Sequence, residues 1–218
     1  MSIGVPIIIQ VSLNSGVASG SPYGSTTATA PTGSTIVLAI SVNSLGSVSS
    51  LIDSAGNTYS LATRSAVGSF EDEMWYCSNI ISLPSGGTWT AVTSGTNYNV
   101  LGAAYVGGAS GGFNQQANGG LTGTSNTWTT GTLASSPQIA FASMQISLLT
   151  TWNEDSTWTT LSPNPLLTTP FSYKMISGTS PVVWSPNWLP SGAVNGVVAT
   201  FQATPVPTGQ IGIAAAEY

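Results

Sequence analysis

Apolar runs of strand length, broken again and again by Gly, Pro, Asn and Ser, leave this chain little choice but to fold as sheets. No helical period is visible. The run Thr35-Ile36-Val37-Leu38-Ala39-Ile40-Ser41-Val42 alternates, yet is apolar enough to be a central strand covered on both faces. Strands are expected near residues 5–13, 34–42, 48–52, 57–64, 72–81, 88–94, 99–107, 127–133, 137–147, 157–161, 170–176 and 193–203. Asp53-Ser54-Ala55-Gly56-Asn57 is a hairpin turn, because Asp can accept backbone N–H bonds and Gly56-Asn57 tolerates positive φ. Pro84-Ser85-Gly86-Gly87 separates the Trp75-Tyr76 strand from the one holding Trp89. Residues 107–126 are Gly-rich and polar, and read as a long loop whose Phe113 is a candidate contact. No tandem repeat of fixed period is evident.

The 218 residues suit one domain. The expected class is an all-β, antiparallel, jelly-roll-like β-sandwich. Its expected parts are an N-terminal strand and arm over 1–33, a sandwich domain over 34–203, and a C-terminal tail over 204–218. Such arms can pair with a neighbour's sheet edge.

Chemistry is constrained by what is missing. The chain has no His, only Arg64 and Lys174 as bases, and seven acids, so charged residues make up 4% where about a quarter is usual. Proton transfer at neutral pH usually draws on His, paired carboxylates or a tuned Lys. A glycosidase would need two facing carboxylates, and nothing in the sequence brings Glu73 and Glu154 together. Glu71-Asp72-Glu73 and Glu154-Asp155 lack the spacing of a calcium loop and read as solvated turns. No catalytic residue, cofactor or metal ligand is therefore expected, and whether calcium binds is left open. Nucleic acid is excluded as a partner for want of a Lys/Arg cluster.

Cys77 has no partner in the sequence and reads as a small buried hydrophobe. Met1–Gln10 lacks a basic start and a cleavage site, so it does not read as a secretory signal, and no run is long enough for a membrane helix. The aromatics are the better lead. Trp152, Trp158, Trp184 and Trp188 fall in the last third, where they read first as core or interface and second as a glycan platform.

The Thr35–Ile40 run leads to Val48-Ser49-Ser50, then to Asp53, Gly56, Asn57 and Tyr59, then to Met74-Trp75-Tyr76, and last to Val197-Val198-Ala199-Thr200-Phe201. This order resembles a diffuse group of phage and bacterial extracellular β-sandwich proteins, over roughly residues 34–203. The resemblance implies a jelly-roll-like sandwich on a virion or cell surface, with no catalytic residues to carry over. The expected function is a non-enzymatic structural protein of a virus particle, a phage capsid decoration or fibre-like protein on the virion surface. Its expected partners are copies of itself and other virion proteins, with a surface glycan as a candidate and no membrane insertion. The alternatives are an extracellular or cell-surface glycan-binding module or lectin, and a subunit of an extracellular filament.

Overall fold

The computed structural model describes residues 3–11, 16–43, 46–67, 70–109, 112–146, 151–161 and 170–203. Every element among them is a strand, and every pairing is antiparallel. The first half runs β1 (Ile7–Val11), β2 (Val17–Ala18), β3 (Pro22–Tyr23), β4 (Thr35–Asn43), β5 (Val48–Asp53), β6 (Ser60–Val67), β7 (Phe70–Cys77), β8 (Trp89–Thr93) and β9 (Asn97–Val106). The second half runs β10 (Gly112–Ser125), β11 (Trp128–Thr129), β12 (Gln138–Ile146), β13 (Thr151–Asn153), β14 (Thr159–Thr160), β15 (Phe171–Ile176), β16 (Val183–Trp184) and β17 (Asn187–Gln202).

Each half builds its own large sheet. The first has the order β1-β9-β4-β7-β6, with β2 also on β9; the second has β10-β17-β12-β15-β14, with β13 also on β17. Alternation decides which side chains face where. On β4, Val37 and Ala39 point into the core between the two sheets, where they meet Phe141, Phe171, Val197 and Phe201. Ile36, Leu38, Ile40 and Val42 point the other way, into a second core closed by the small sheet β3-β8-β5 with Tyr23, Leu51 and Trp89. The second sheet repeats this plan, with Ala140, Ala142, Met144 and Val198 under Trp128, Trp158, Trp184 and Trp188. The molecule is a two-sheet sandwich with an extra covered face on each side.

The two halves share one topology. Numbered within its half, each large sheet reads first, fifth, second, fourth, third strand. The row Ile8–Ala104–Val37–Tyr76–Ser60 across the first sheet matches Gln116–Ala199–Phe141–Tyr173–Thr159 across the second. Tyr23 pairs with Trp89 on the first outer layer as Trp128 pairs with Trp184 on the second. The same two hydrogen bonds lock each layer. Thr26 exchanges backbone and hydroxyl bonds with Gly87, and Thr130 does so with Val182. The two halves thus repeat one plan, and their equivalent faces pack together. The spacing between equivalent residues shrinks along the chain, which is why no fixed period shows in the sequence.

The loop expected after β9 is corrected. The stretch expected as a loop over 107–126 holds the long strand β10, paired with β17 from Gly112↔Gln202 to Ser125↔Asn187. Its glycines allow close approach, for a Cβ on Gly120 would lie 2.3 Å from Val67 Cγ2 and 2.7 Å from the Val194 carbonyl oxygen. Phe113 is half-buried, 6.1 Å from the Tyr76 ring and 6.3 Å from that of Phe201. Residues 16–33 hold β2, β3 and the Ala30↔Leu83 bridge, while the tail 204–218 lies outside the described residues.

Candidate functional site

The hairpin turn after β5 closes on its own carboxylate. Asp53 Oδ1 accepts the Ala55 and Asn57 amides at 3.0 and 2.9 Å, and Oδ2 accepts Asn57 Nδ2 at 2.8 Å and the Tyr59 hydroxyl at 2.9 Å. Tyr59 in turn accepts Trp89 Nε1 at 3.1 Å, and the Asn57 amide clamps the Ile81 backbone in both directions. Burial, then the Asp53 charge, drives the Tyr59 pKa up, so its hydroxyl stays a donor. All four strong acceptor positions of Asp53 are taken.

The second half solves the same problem with another acid. Trp184 Nε1 donates directly to Glu154 Oε1 at 2.6 Å, the Asp155 amide donates to the same oxygen at 2.9 Å, and Ser172 Oγ donates to Oε2. Burial pushes the Glu154 carboxyl above its usual range against those bonds. Asp155 is more open. Partial burial works upward, but the Thr157 amide and hydroxyl, the Ser185 amide and Lys174 bring it below its usual value. Thus Trp89 is anchored to Asp53 through Tyr59, and its counterpart Trp184 to Glu154 without a relay.

Glu71, Asp72 and Glu73, read from the sequence as a solvated turn, lie within β7, and all three are buried. Alternation splits them between two faces. Glu71 and Glu73 meet Arg64, with Nε 2.9 Å from Glu71 Oε1 and Nη2 3.0 Å from Glu73 Oε1. Glu73 also accepts the Val48 amide at 2.9 Å and the Trp75 indole N–H. Burial raises its pKa to about 7 in spite of these partners. Asp72 points between the sheets, wholly buried, and neither of its oxygens has a hydrogen-bond partner. Burial, reinforced by the Glu73 charge, holds its carboxyl well above the usual range.

Glu73 belongs to the first half's layer and Glu154 to the second's, so the structure does not bring this pair together across a cleft. Three of the four candidate tryptophans are also separated from solvent. Trp158, Trp184 and Trp188 are buried, and Trp152 is half-buried opposite Trp188. The Trp184 ring lies 5.0 Å from Trp128 and 6.0 Å from Trp158, while Trp158 Nε1 donates to the Val183 carbonyl and Trp188 Nε1 to that of Gly123. The indoles of Trp158, Trp184 and Trp188 pack in the outer core of the second half, while Trp152 keeps partial exposure at its edge. Cys77 is partly buried and packs against the outer core of the first half, with its thiol pKa raised by burial and by Asp53.

An open groove of about 290 Å³ runs from Lys174 past Ile176, Gly178 and Pro181 to Val183. Its exposed apolar side chains are Met175 and Val183. Sequence reading recognised the Asp53 turn but not its role as a buried anchor, and it gave Tyr59, Arg64 and Trp89 no part in holding the layers together. The signal was present in the spacing of Asp53, Asn57 and Tyr59, since a hairpin alone needs neither the Asn amide nor the Tyr hydroxyl. Among the described residues no three His, Cys, Asp or Glu side chains gather to hold a metal, and no helix is long and apolar enough to cross a membrane. No family model, no curated protein and no solved structure matches this chain.

Proposed function

We propose that this protein is a non-enzymatic structural component of a virus particle, a capsid decoration or fibre-like protein that acts by binding copies of itself and other virion proteins. The observation that carries this reading is where the ionisable groups go. Asp53 and Glu154 anchor tryptophans, Glu71 and Glu73 hold Arg64, Asp155 caps a turn, and Asp72 is sealed between sheets. Acid–base catalysis needs a titratable group within reach of a substrate, and these groups are spent on the frame. A surface dressed in Ser, Thr, Asn and Gln also suits dense packing beside identical copies, where repeated like charges would repel. A jelly-roll ancestry and a virion-surface location are parts of the same proposal.

Light scattering coupled to size exclusion, followed by sedimentation with purified virion shells, tests it. A closed oligomer that co-sediments with shells is the expected outcome. A monomer stable to dilution that leaves shells bare overturns the proposal. The glycan-binding alternative has the Lys174–Val183 groove and the half-buried Trp152 to work with, since Trp158, Trp184 and Trp188 are buried.

A further inference from the structure

The sandwich core is apolar at one end and polar at the other. Across the inner face of the first sheet, Asn99, Ser41, Asp72 and Ser65 stand side by side in register. Across the second sheet, Gln145 stands beside Asn195. Ser41 and Asn99 hold the same paired places in the first sheet as Gln145 and Asn195 in the second. Ser41 Oγ meets Gln145 Oε1, and Ser65 Oγ meets Asn195 Oδ1 at 3.3 Å. The Asn195 amide is held oxygen-inward, because its Nδ2 is already given to the Val67 and Phe70 carbonyls at 3.0 and 2.9 Å.

What gathers here is mostly oxygen, with the Ser41 and Ser65 hydroxyls donating to Gln145 and Asn195 and none of them to Asp72. Both Asp72 oxygens, Asn99 Oδ1 and Ser143 Oγ are buried and unpartnered, and Ser143 lies two residues before Gln145 on the same inward face. A buried carboxyl without a partner either keeps its proton or needs a counter-charge. No protein cation supplies one. Arg64 is engaged on the opposite face of β7 with Glu71 and Glu73, and Lys174 reaches Thr157 on the far side of the second sheet. A set of one carboxylate with amide and hydroxyl oxygens is what a hard cation takes up.

We propose that Asp72, Asn99, Ser41, Gln145 and Asn195 form a binding site between the sheets for an oxygen-liganded cation of the calcium class. The site ties the two halves together. It is unlike a calcium loop, for Asp72 is its one carboxylate and the other ligands come from different strands. One carboxylate sets the expected affinity in the weak range, with Kd on the order of 10⁻⁴ to 10⁻³ M.

The test uses the whole chain, stripped with chelator and then titrated with Ca²⁺ while the melting temperature is followed, with Tb³⁺ luminescence as a direct readout of occupancy. Wild type is expected to gain several degrees at 10 mM Ca²⁺ and to sensitise Tb³⁺. Asp72→Asn, nearly isosteric and uncharged, is expected to fold, as judged by circular dichroism, and to lose both responses. Asp155→Asn, an open acid outside the layer, is expected to keep both. Wild type showing neither a Ca²⁺ shift nor a Tb³⁺ signal overturns the proposal, and so does an Asp72→Asn protein that responds like wild type. If Asp72→Asn fails to fold, the infrared carbonyl band of wild type decides. At pH 8, above the Glu73 value, a protonated carboxyl band that loses intensity on adding Ca²⁺ supports the site, and one unchanged at saturating Ca²⁺ overturns it.

Discussion

At the scale of single residues, the acids of this protein behave as structural parts. Asp53 collects four hydrogen bonds and, through Tyr59, fixes the indole of Trp89. Hydrogen bonds to a charged acceptor are each worth roughly 1.5–3 kcal/mol, and losing the acceptor strands its donors. Asp53→Ala is therefore expected to cost about 3 kcal/mol or more, read from urea unfolding midpoints. Trp188 makes the parallel case for the aromatics. It is buried and bonded to the Gly123 carbonyl, so Trp188→Ala is expected to destabilise by roughly 3–5 kcal/mol. The same variant discriminates function. A folded Trp188→Ala protein of wild-type stability would show that the ring is not core at all.

Among the elements, the strands driven by side chains were legible and those driven by backbone were not. The Thr35–Val42 run reads as a central strand, and β4 lies between β9 and β7 with both faces covered. The expected strands near 88–94, 137–147 and 170–176 likewise fall on β8, β12 and β15. β10 escaped notice because Asn, Gln, Gly and Thr give no hydrophobic alternation. Its order comes from the ladder with β17 and from glycines that let neighbours close in. The buried run on β7 misled for a related reason, since three successive acids look solvated until Arg64 is placed beside two of them. Glycine also sets a limit on β17. A Cβ on Gly196 would lie 2.2 Å from Trp128 Cζ2, so Gly196→Ala is expected to overpack the second outer core and cost roughly 1–3 kcal/mol, measured by thermal or denaturant unfolding.

For the molecule as a whole, the buried acids predict an unusual response to pH. Asp72, Glu73 and Glu154 all hold their protons more tightly folded than unfolded. Such groups contribute their stability in full below the unfolded pKa and lose it as pH rises through the folded one. For Glu73 that window runs from its ordinary 4.5 to about 7. Asp155, shifted down, acts in the opposite sense, but it is partly exposed and solvent screening keeps its share small. The melting temperature is expected to fall as pH is raised from about 4.5 to about 8, measured by calorimetry without added divalent cations. A flat profile or a rise would show that these carboxyls are ionised at little cost.

The pairing of first strand with last also bears on how the chain is made. β1 depends on β9, and β10 on β17, so neither large sheet can close until the end of its own half has been synthesised. The first half is complete at Val106, before any residue of β10 exists, and by then it can bury its outer core under β3, β5 and β8. Its inner face, with Val37, Ala39, Met74 and Ala104, must wait for β12, β15 and β17 to arrive. Synthesis therefore passes through a stage in which a finished half displays an apolar sheet whose natural cover has the same topology as itself. Two nascent chains held close together at that stage could cover one another, and the repeated plan makes prompt arrival of the second half the safeguard against that exchange.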